Sequence, residues 1–154
     1  MPKLKPGDVA PQFSLVDQNG RRVKLSDFKG KKLLVYFYPR AMTTGCTRQA
    51  ENVRDHLAQL TKLGVAAVGI SPDEPERQKK FDDKYRLGFP LLSDADHSVA
   101  KAWGAWGEKT MYGKKFEGII RSSFLVDEKG KITHVWYKIK PDQTAPEAQK
   151  SLRD

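Results

Sequence analysis

Three residue types in this chain sit where they could do chemistry. Cys46 is the sole cysteine. It follows the apolar run Leu33 to Tyr38, closed by Pro39, and it opens a stretch in which Ala50, Val53, Leu57 and Leu60 recur at spacings of three and four. The first pattern predicts a strand covered on both faces, the second an amphipathic helix of about four turns ending near Gly64. Cys46 then lies in a helix first turn beyond the carboxyl end of a strand, where open α/β sheets bind ligands. Backbone N–H groups in a first turn lack intrahelical partners and carry the positive end of the helix dipole, so they favour a thiolate. A lone cysteine is ordinarily a small buried hydrophobe. This setting points instead to a nucleophile.

Arg121 interrupts the run Ile119-Ile120-Arg121-Ser122-Ser123-Phe124-Leu125-Val126, read as one strand. A guanidinium there, if buried, requires an anion. A carboxylate at a sheet edge would serve, and so would a thiolate at Cys46. Thr43 and Thr44 precede the helix. Capping is the ordinary role of each, and a hydroxyl there could also donate to and accept from a small oxygen-bearing substrate.

The histidines make poor bases for Cys46. His56 stands ten residues further along the same helix, nearly three turns away, and His97 and His134 fall in other elements. Asp94, Asp96 and His97 have metal-ligand chemistry, but two carboxylates ahead of a helix read as caps. No metal site and no cofactor is assigned.

The elements that must position these residues follow from the patterning. Phe13 and Leu15, a turn at Asp17-Gln18-Asn19-Gly20, then Val23 and Leu25 read as a β-hairpin. Val65 to Ile70 is a second buried strand, so the chain around Cys46 is a right-handed βαβ unit with parallel strands. Ser71-Pro72-Asp73-Glu74 reads as a helix start, with Ser71 the cap and Pro72 the first helical residue. That helix carries Phe81 and Tyr85, and Phe89-Pro90-Leu91-Leu92 reads as a short strand. A short helix through Val99 and Trp103 follows. Ile119 to Val126 and Ile132 to Tyr137 form an antiparallel pair about Asp127 to Gly130, and a helix begins near Thr144. The sum is an α/β fold, a mixed central sheet with helices on both faces and an N-terminal hairpin. No repeat or linker divides residues 1–154, which are read as one domain.

The chain has 154 residues, 38% hydrophobic and 31% charged, enough for a core and too apolar for disorder. One cysteine excludes an internal disulfide and a Cys-x-x-Cys motif, and suits a reducing compartment. No apolar run is long enough to span a bilayer, and no secretory pattern is visible near the start, so the expected location is cytoplasmic. With 28 basic and 19 acidic residues the net charge is +9. The lysines are scattered and no nucleic-acid signature accompanies them, so a specific nucleic-acid partner is not expected.

The segment Tyr36-Phe37-Tyr38-Pro39-Arg40-Ala41-Met42-Thr43-Thr44-Gly45-Cys46-Thr47 resembles the active site of peroxiredoxins, with their Pro-x-x-x-Thr-x-x-Cys pattern. It is most similar to the Q-type branch, the bacterioferritin comigratory proteins. Leu91 to Asp94, Met111 to Lys114 and Gly118 to Leu125 extend the likeness across nearly the whole chain. The resemblance implies a thioredoxin-like fold and reduction of hydrogen peroxide and organic hydroperoxides by a cysteine that cycles through sulfenic acid. It implies that Cys46 is the peroxidatic cysteine, Thr43 the threonine that binds the peroxide, Pro39 the proline that shields the thiolate and Arg121 the arginine that stabilises thiolate and substrate. The N–H groups of Gly45 and Cys46 complete the set, and a monomer is expected.

Two positions depart from the branch. Thr44 stands where a proline is usual. Glu51 stands where many Q-type members carry a resolving cysteine, and Phe81, Asp82 and Asp83 occupy the alternative place in the next helix. The expectation is a one-Cys enzyme reduced by an external thiol such as thioredoxin or glutaredoxin with glutathione. A peroxide sensor of the same fold, passing its oxidation to a partner with poor turnover, is the competing expectation.

Overall fold

The computed structural model describes residues 3–153. Its strands are β1 (Ser14–Val16), β2 (Arg22–Lys24), β3 (Lys32–Phe37), β4 (Val65–Ser71), β5 (Leu91–Ser93), β6 (Trp106–Met111), β7 (Lys114–Ile119), β8 (Ser122–Val126) and β9 (Ile132–Tyr137). Its α-helices are α1 (Thr44–Lys62), α2 (Pro75–Tyr85), α3 (Ser98–Ala102) and α4 (Thr144–Arg153). Seven strands form one mixed sheet in the order β2-β1-β5-β4-β3-β8-β9, and β6 and β7 form a separate hairpin.

Residue alternation along β3 explains why its sequence is apolar throughout. Leu33, Val35 and Phe37 join Val68, Ile70, Phe124 and Trp103 on one face. Leu34, Tyr36 and Tyr38 join Ala50, Val53 and Leu60 of α1, Phe81 of α2 and Ala148 of α4 on the other. Side chains of a strand point alternately to opposite faces, so a strand buried on both sides has no polar positions to alternate. The parallel β3–α1–β4 unit forms as its periodicity predicts, with Tyr36 opposite Gly69. A Cβ at Gly69 would stand 2.9 Å from the Tyr36 ring and 3.0 Å from that of Tyr38, so only glycine lets the two rings pack over β4.

Two local expectations are corrected, and one element is new. The helix after β4 starts at Pro75, with Glu74 in the capping position, rather than at Ser71-Pro72. Ser71 stays in β4 opposite Ser93, and its hydroxyl donates to Asp73 Oδ2 at 2.6 Å. Both prolines suit a first helical turn, and sheet pairing of Ser71 decides between them. The stretch Ile119–Val126 is two strands, broken at Ile120 and Arg121. Among the described residues β7 pairs only with β6, whereas β8 pairs with β3 and β9. The break turns the chain from the hairpin into the central sheet. The hairpin itself was not anticipated. Its turn, Tyr112-Gly113, has φ of 53° and 77°, the left-handed pair that tight hairpins use.

Candidate active site

The loop from Pro39 to Thr43 joins the end of β3 to α1 and delivers Cys46 to the first turn of a 19-residue helix. Cys46 is 1% exposed. Arg121 brings Nη2 to 3.5 Å from Cys46 Sγ. Its Nη1 donates to Gln49 Oε1 at 2.5 Å. Among the described residues Arg121 forms no ion pair with a carboxylate. Of the two anions its sequence setting allowed, the structure offers the sulfur. Arg121 reaches it from the two-residue link before β8, not from within a strand.

Gly45 makes the approach possible. A Cβ there would lie 3.2 Å from Arg121 Nη2 and 3.7 Å from Pro141 Cγ, so the guanidinium occupies space that a larger residue would contest. Pro39 and Arg121 line one cleft, together with Lys109 and Lys138. Partial burial, and secondarily the charge of Arg121, lower the pKa of Lys109 from its ordinary value.

Thr43 takes the capping position of α1 without a side-chain cap, a correction to its expected helix role. Its hydroxyl instead donates to the Arg40 carbonyl at 2.8 Å. With its proton so engaged, the oxygen faces other groups as an acceptor. The N–H of Thr47 bonds Thr43 O, the first bond of the helix, so those of Gly45 and Cys46 have no carbonyl four residues back within it.

Two sets of residues escaped the sequence reading. Gln49, fully buried, sits one turn after Cys46 and bridges Arg121 to the hydroxyl of Thr144, to which its Nε2 donates at 2.8 Å. Its signal was a polar side chain three residues from the cysteine, on the same helical face. The second set grips the loop. Ala41 N–H donates to Asp73 Oδ2 at 2.7 Å, Arg77 Nη2 donates to Ala41 O at 2.8 Å, and Arg77 Nε pairs with Asp73 Oδ1 at 3.2 Å. Both polar groups of one residue are thereby fixed, next to Met42 with its left-handed φ of 67°. Nothing local in the sequence announces this ring.

The other candidates lie apart. Glu51 is partly exposed and faces Arg54 at 3.7 Å. His56 Nδ1 lies 2.7 Å from Asn52 O, His97 packs tilted against Trp106, and His134 stacks on Trp136. Asp94 accepts from the N–H groups of Val99 and Ala100, and Asp96 from that of Ser98, so both carboxylates cap α3. Among the described residues no helix is long and apolar enough to cross a membrane.

A buried thiol facing a guanidinium, at the positive end of a helix and with first-turn N–H groups beside it that have no intrahelical partner, is an arrangement for a nucleophile and for charge developing around it. Residues 6–135 match the AhpC/TSA family. Peroxiredoxin Bcp of Escherichia coli K12 is 54% identical over 136 residues, 88% of this chain and 87% of the relative. The bacterioferritin comigratory protein of Xanthomonas campestris, studied for its alkyl peroxide reduction activity, superposes with a TM-score of 0.86 at 32% identity, covering 92% of this chain and 90% of its own. PrxQ of Xylella fastidiosa gives a TM-score of 0.92 at 29% identity, over 99% and 98% of the two chains.

Proposed function

This chain belongs to the AhpC/TSA family, as a Q-type peroxiredoxin and thiol-dependent peroxidase, and on that premise we propose that Cys46 is its peroxidatic residue, with Arg121, Thr43, Pro39 and the N–H groups of Gly45 and Cys46 as its partners. The Cys46 thiolate attacks one oxygen of a hydroperoxide in line with the O–O bond. The S–O bond forms as the O–O bond breaks, and the departing oxygen leaves as water or alcohol after taking a proton. Cys46 is left as sulfenic acid.

Populating the thiolate is not enough to make such a reaction fast. Lowering any thiol pKa by about three units from about 8.5 multiplies its thiolate roughly thirtyfold at neutral pH, while nucleophilicity falls about fifteen- to thirtyfold. The two effects nearly cancel. The acceleration must come from orienting the peroxide and from stabilising the leaving oxygen. Arg121 supplies a planar fork of donors beside the sulfur, and the first-turn N–H groups supply more. The Thr43 oxygen, its own proton given to Arg40 O, accepts the O–H of the peroxide. Pro39 walls the cleft on the side of Arg121.

Reduction back to the thiol falls to an external thiol, because the chain has no second cysteine. The attacking thiolate forms a mixed disulfide with Cys46 and expels the sulfenic oxygen, which takes up a proton from solvent and leaves as water, and a second thiol releases Cys46 by exchange. The reading includes a single domain, a monomer in solution and a cytoplasmic place of action, the last because a lone reduced thiol suits a reducing compartment.

The observation that carries the reading is the 3.5 Å approach of Arg121 Nη2 to Cys46 Sγ at a helix N-terminus. One equivalent of hydrogen peroxide followed by dimedone should place the adduct on Cys46. Undiminished hydroperoxide clearance by Cys46→Ser would end the proposal.

A further inference from the structure

Among the described residues the β6–β7 hairpin pairs with no third strand. It also leaves large apolar side chains in water: Tyr112 is 97% exposed, Met111 56% and Phe116 42%. An isolated two-stranded hairpin is marginal by itself, and clustered bare apolar groups mark an interaction surface. One flank of this hairpin reaches the cleft lined by Arg121, the residue that contacts Cys46. Glu108, Lys109 and Thr110 of β6 line the same cleft as Pro39, Arg121 and Lys138. The charge around that cleft and hairpin is strongly basic. Along the cleft lining and the two strands, Lys109, Lys114, Lys115, Arg121 and Lys138 stand against Glu108 and Glu117, and Glu108 is already paired with Lys115 at 3.8 Å.

We propose that this hairpin and its basic rim are the docking surface for the reductant of Cys46, a small dithiol protein whose reactive thiol is set in an acidic, partly apolar face. The proposal rests on the peroxidase reading above. Its chemistry is that of the external reductant: one partner thiolate attacks the Cys46 sulfenic sulfur, the S–S bond forms as the S–O bond breaks, and the departing hydroxide takes a proton from solvent and leaves as water. The second partner thiol then breaks that bond, so the partner ends as a disulfide, oxidised by two electrons, and Cys46 as a thiol. Cys46 is 1% exposed, so a protein thiol cannot rest on the sulfur of the folded first turn. Binding must be anchored on surface outside that turn yet continuous with its opening. The hairpin meets both conditions, and its lysines complement an acidic partner and speed encounter.

Two double variants test this, Met111→Ser with Tyr112→Ser, and Lys114→Glu with Lys115→Glu. Each is assayed with thioredoxin and, separately, with dithiothreitol. With thioredoxin, kcat/KM should fall tenfold or more in both, chiefly through KM, and the charge-reversed variant should lose most of its salt dependence. Turnover with dithiothreitol and the rate of oxidation by peroxide should match the parent. Unchanged thioredoxin kinetics, equal losses with both reductants, or failure of thioredoxin to reduce a parent that dithiothreitol reduces would each overturn the docking surface. A parent inactive with dithiothreitol would instead defeat the peroxidase reading.

Discussion

Arg121 is aimed at Cys46 by a neutral partner. One terminal nitrogen lies 3.5 Å from the sulfur while the other donates to the side-chain carbonyl of Gln49. A carboxylate in that place would also fix the guanidinium, but it would answer the positive charge before the sulfur or a leaving oxygen could use it. The amide orients the fork and leaves its charge unmatched.

Arg121→Lys keeps the charge and loses the fork. Its kcat/KM for hydrogen peroxide should fall about a hundredfold, the scale of removing a preorganised donor. Stopped-flow oxidation measures this directly, and near-parental rates would take Arg121 out of the reaction.

Gln49→Glu separates orientation from charge. The guanidinium stays bonded, so thermal stability should change little, yet peroxide kcat/KM should drop by about tenfold or more as the new carboxylate competes for the cation. Gln49→Leu should instead cost stability, about 1–3 kcal/mol in denaturant unfolding, by leaving Arg121 and the Thr144 hydroxyl short of a partner. If Gln49→Glu reacts at the parental rate, the neutrality of Gln49 is irrelevant.

The ring through Ala41, Asp73 and Arg77 predicts an effect on chemistry from the segment between β4 and α2. Asp73→Asn removes the charge that joins Arg77 to the loop. It should raise amide hydrogen exchange across residues 40–43 and lower peroxide kcat/KM about tenfold, because small misplacements of a reacting geometry are costly. Arg77→Lys should restore part of the loss in exchange protection relative to Arg77→Ala. Unaltered exchange in Asp73→Asn would show that the loop holds its shape without the ring.

Tyr36 and Tyr38 set an alkaline limit on stability. Burial, the largest cause, raises both phenol pKa values in the folded chain above the ordinary 10. Above about pH 10 the unfolded chain gives up these protons and the folded chain keeps them. The unfolded state then binds fewer protons, so stability falls as pH rises, by about 1.4 kcal/mol per pH unit for each tyrosine. Below that range the contribution is intact. Tyr36→Phe should make the alkaline limb shallower at no cost at pH 7, since its hydroxyl has no hydrogen-bond partner among the described residues. Tyr38 donates to Gln78 Oε1 at 2.5 Å, so Tyr38→Phe should cost about 1–3 kcal/mol at pH 7. Denaturant melts of both variants at pH 7 and pH 10.5 distinguish the two hydroxyls.

Periodicity alone determined the two-faced β3, the helix that follows and the place of Cys46 at its start, because alternation and helical spacing are local properties that burial imposes on neighbouring residues. It also marked Arg121 as a cation out of keeping with its surroundings. It could not say what Arg121 faces, that the chain breaks just before β8, or that Gln49, Asp73 and Arg77 hold the site together. The contacts that decide these points cross 75, 72, 32 and 36 residues. Such pairings leave no spacing to read, since they exist only after the sheet has fixed which loops meet at its carboxyl edge.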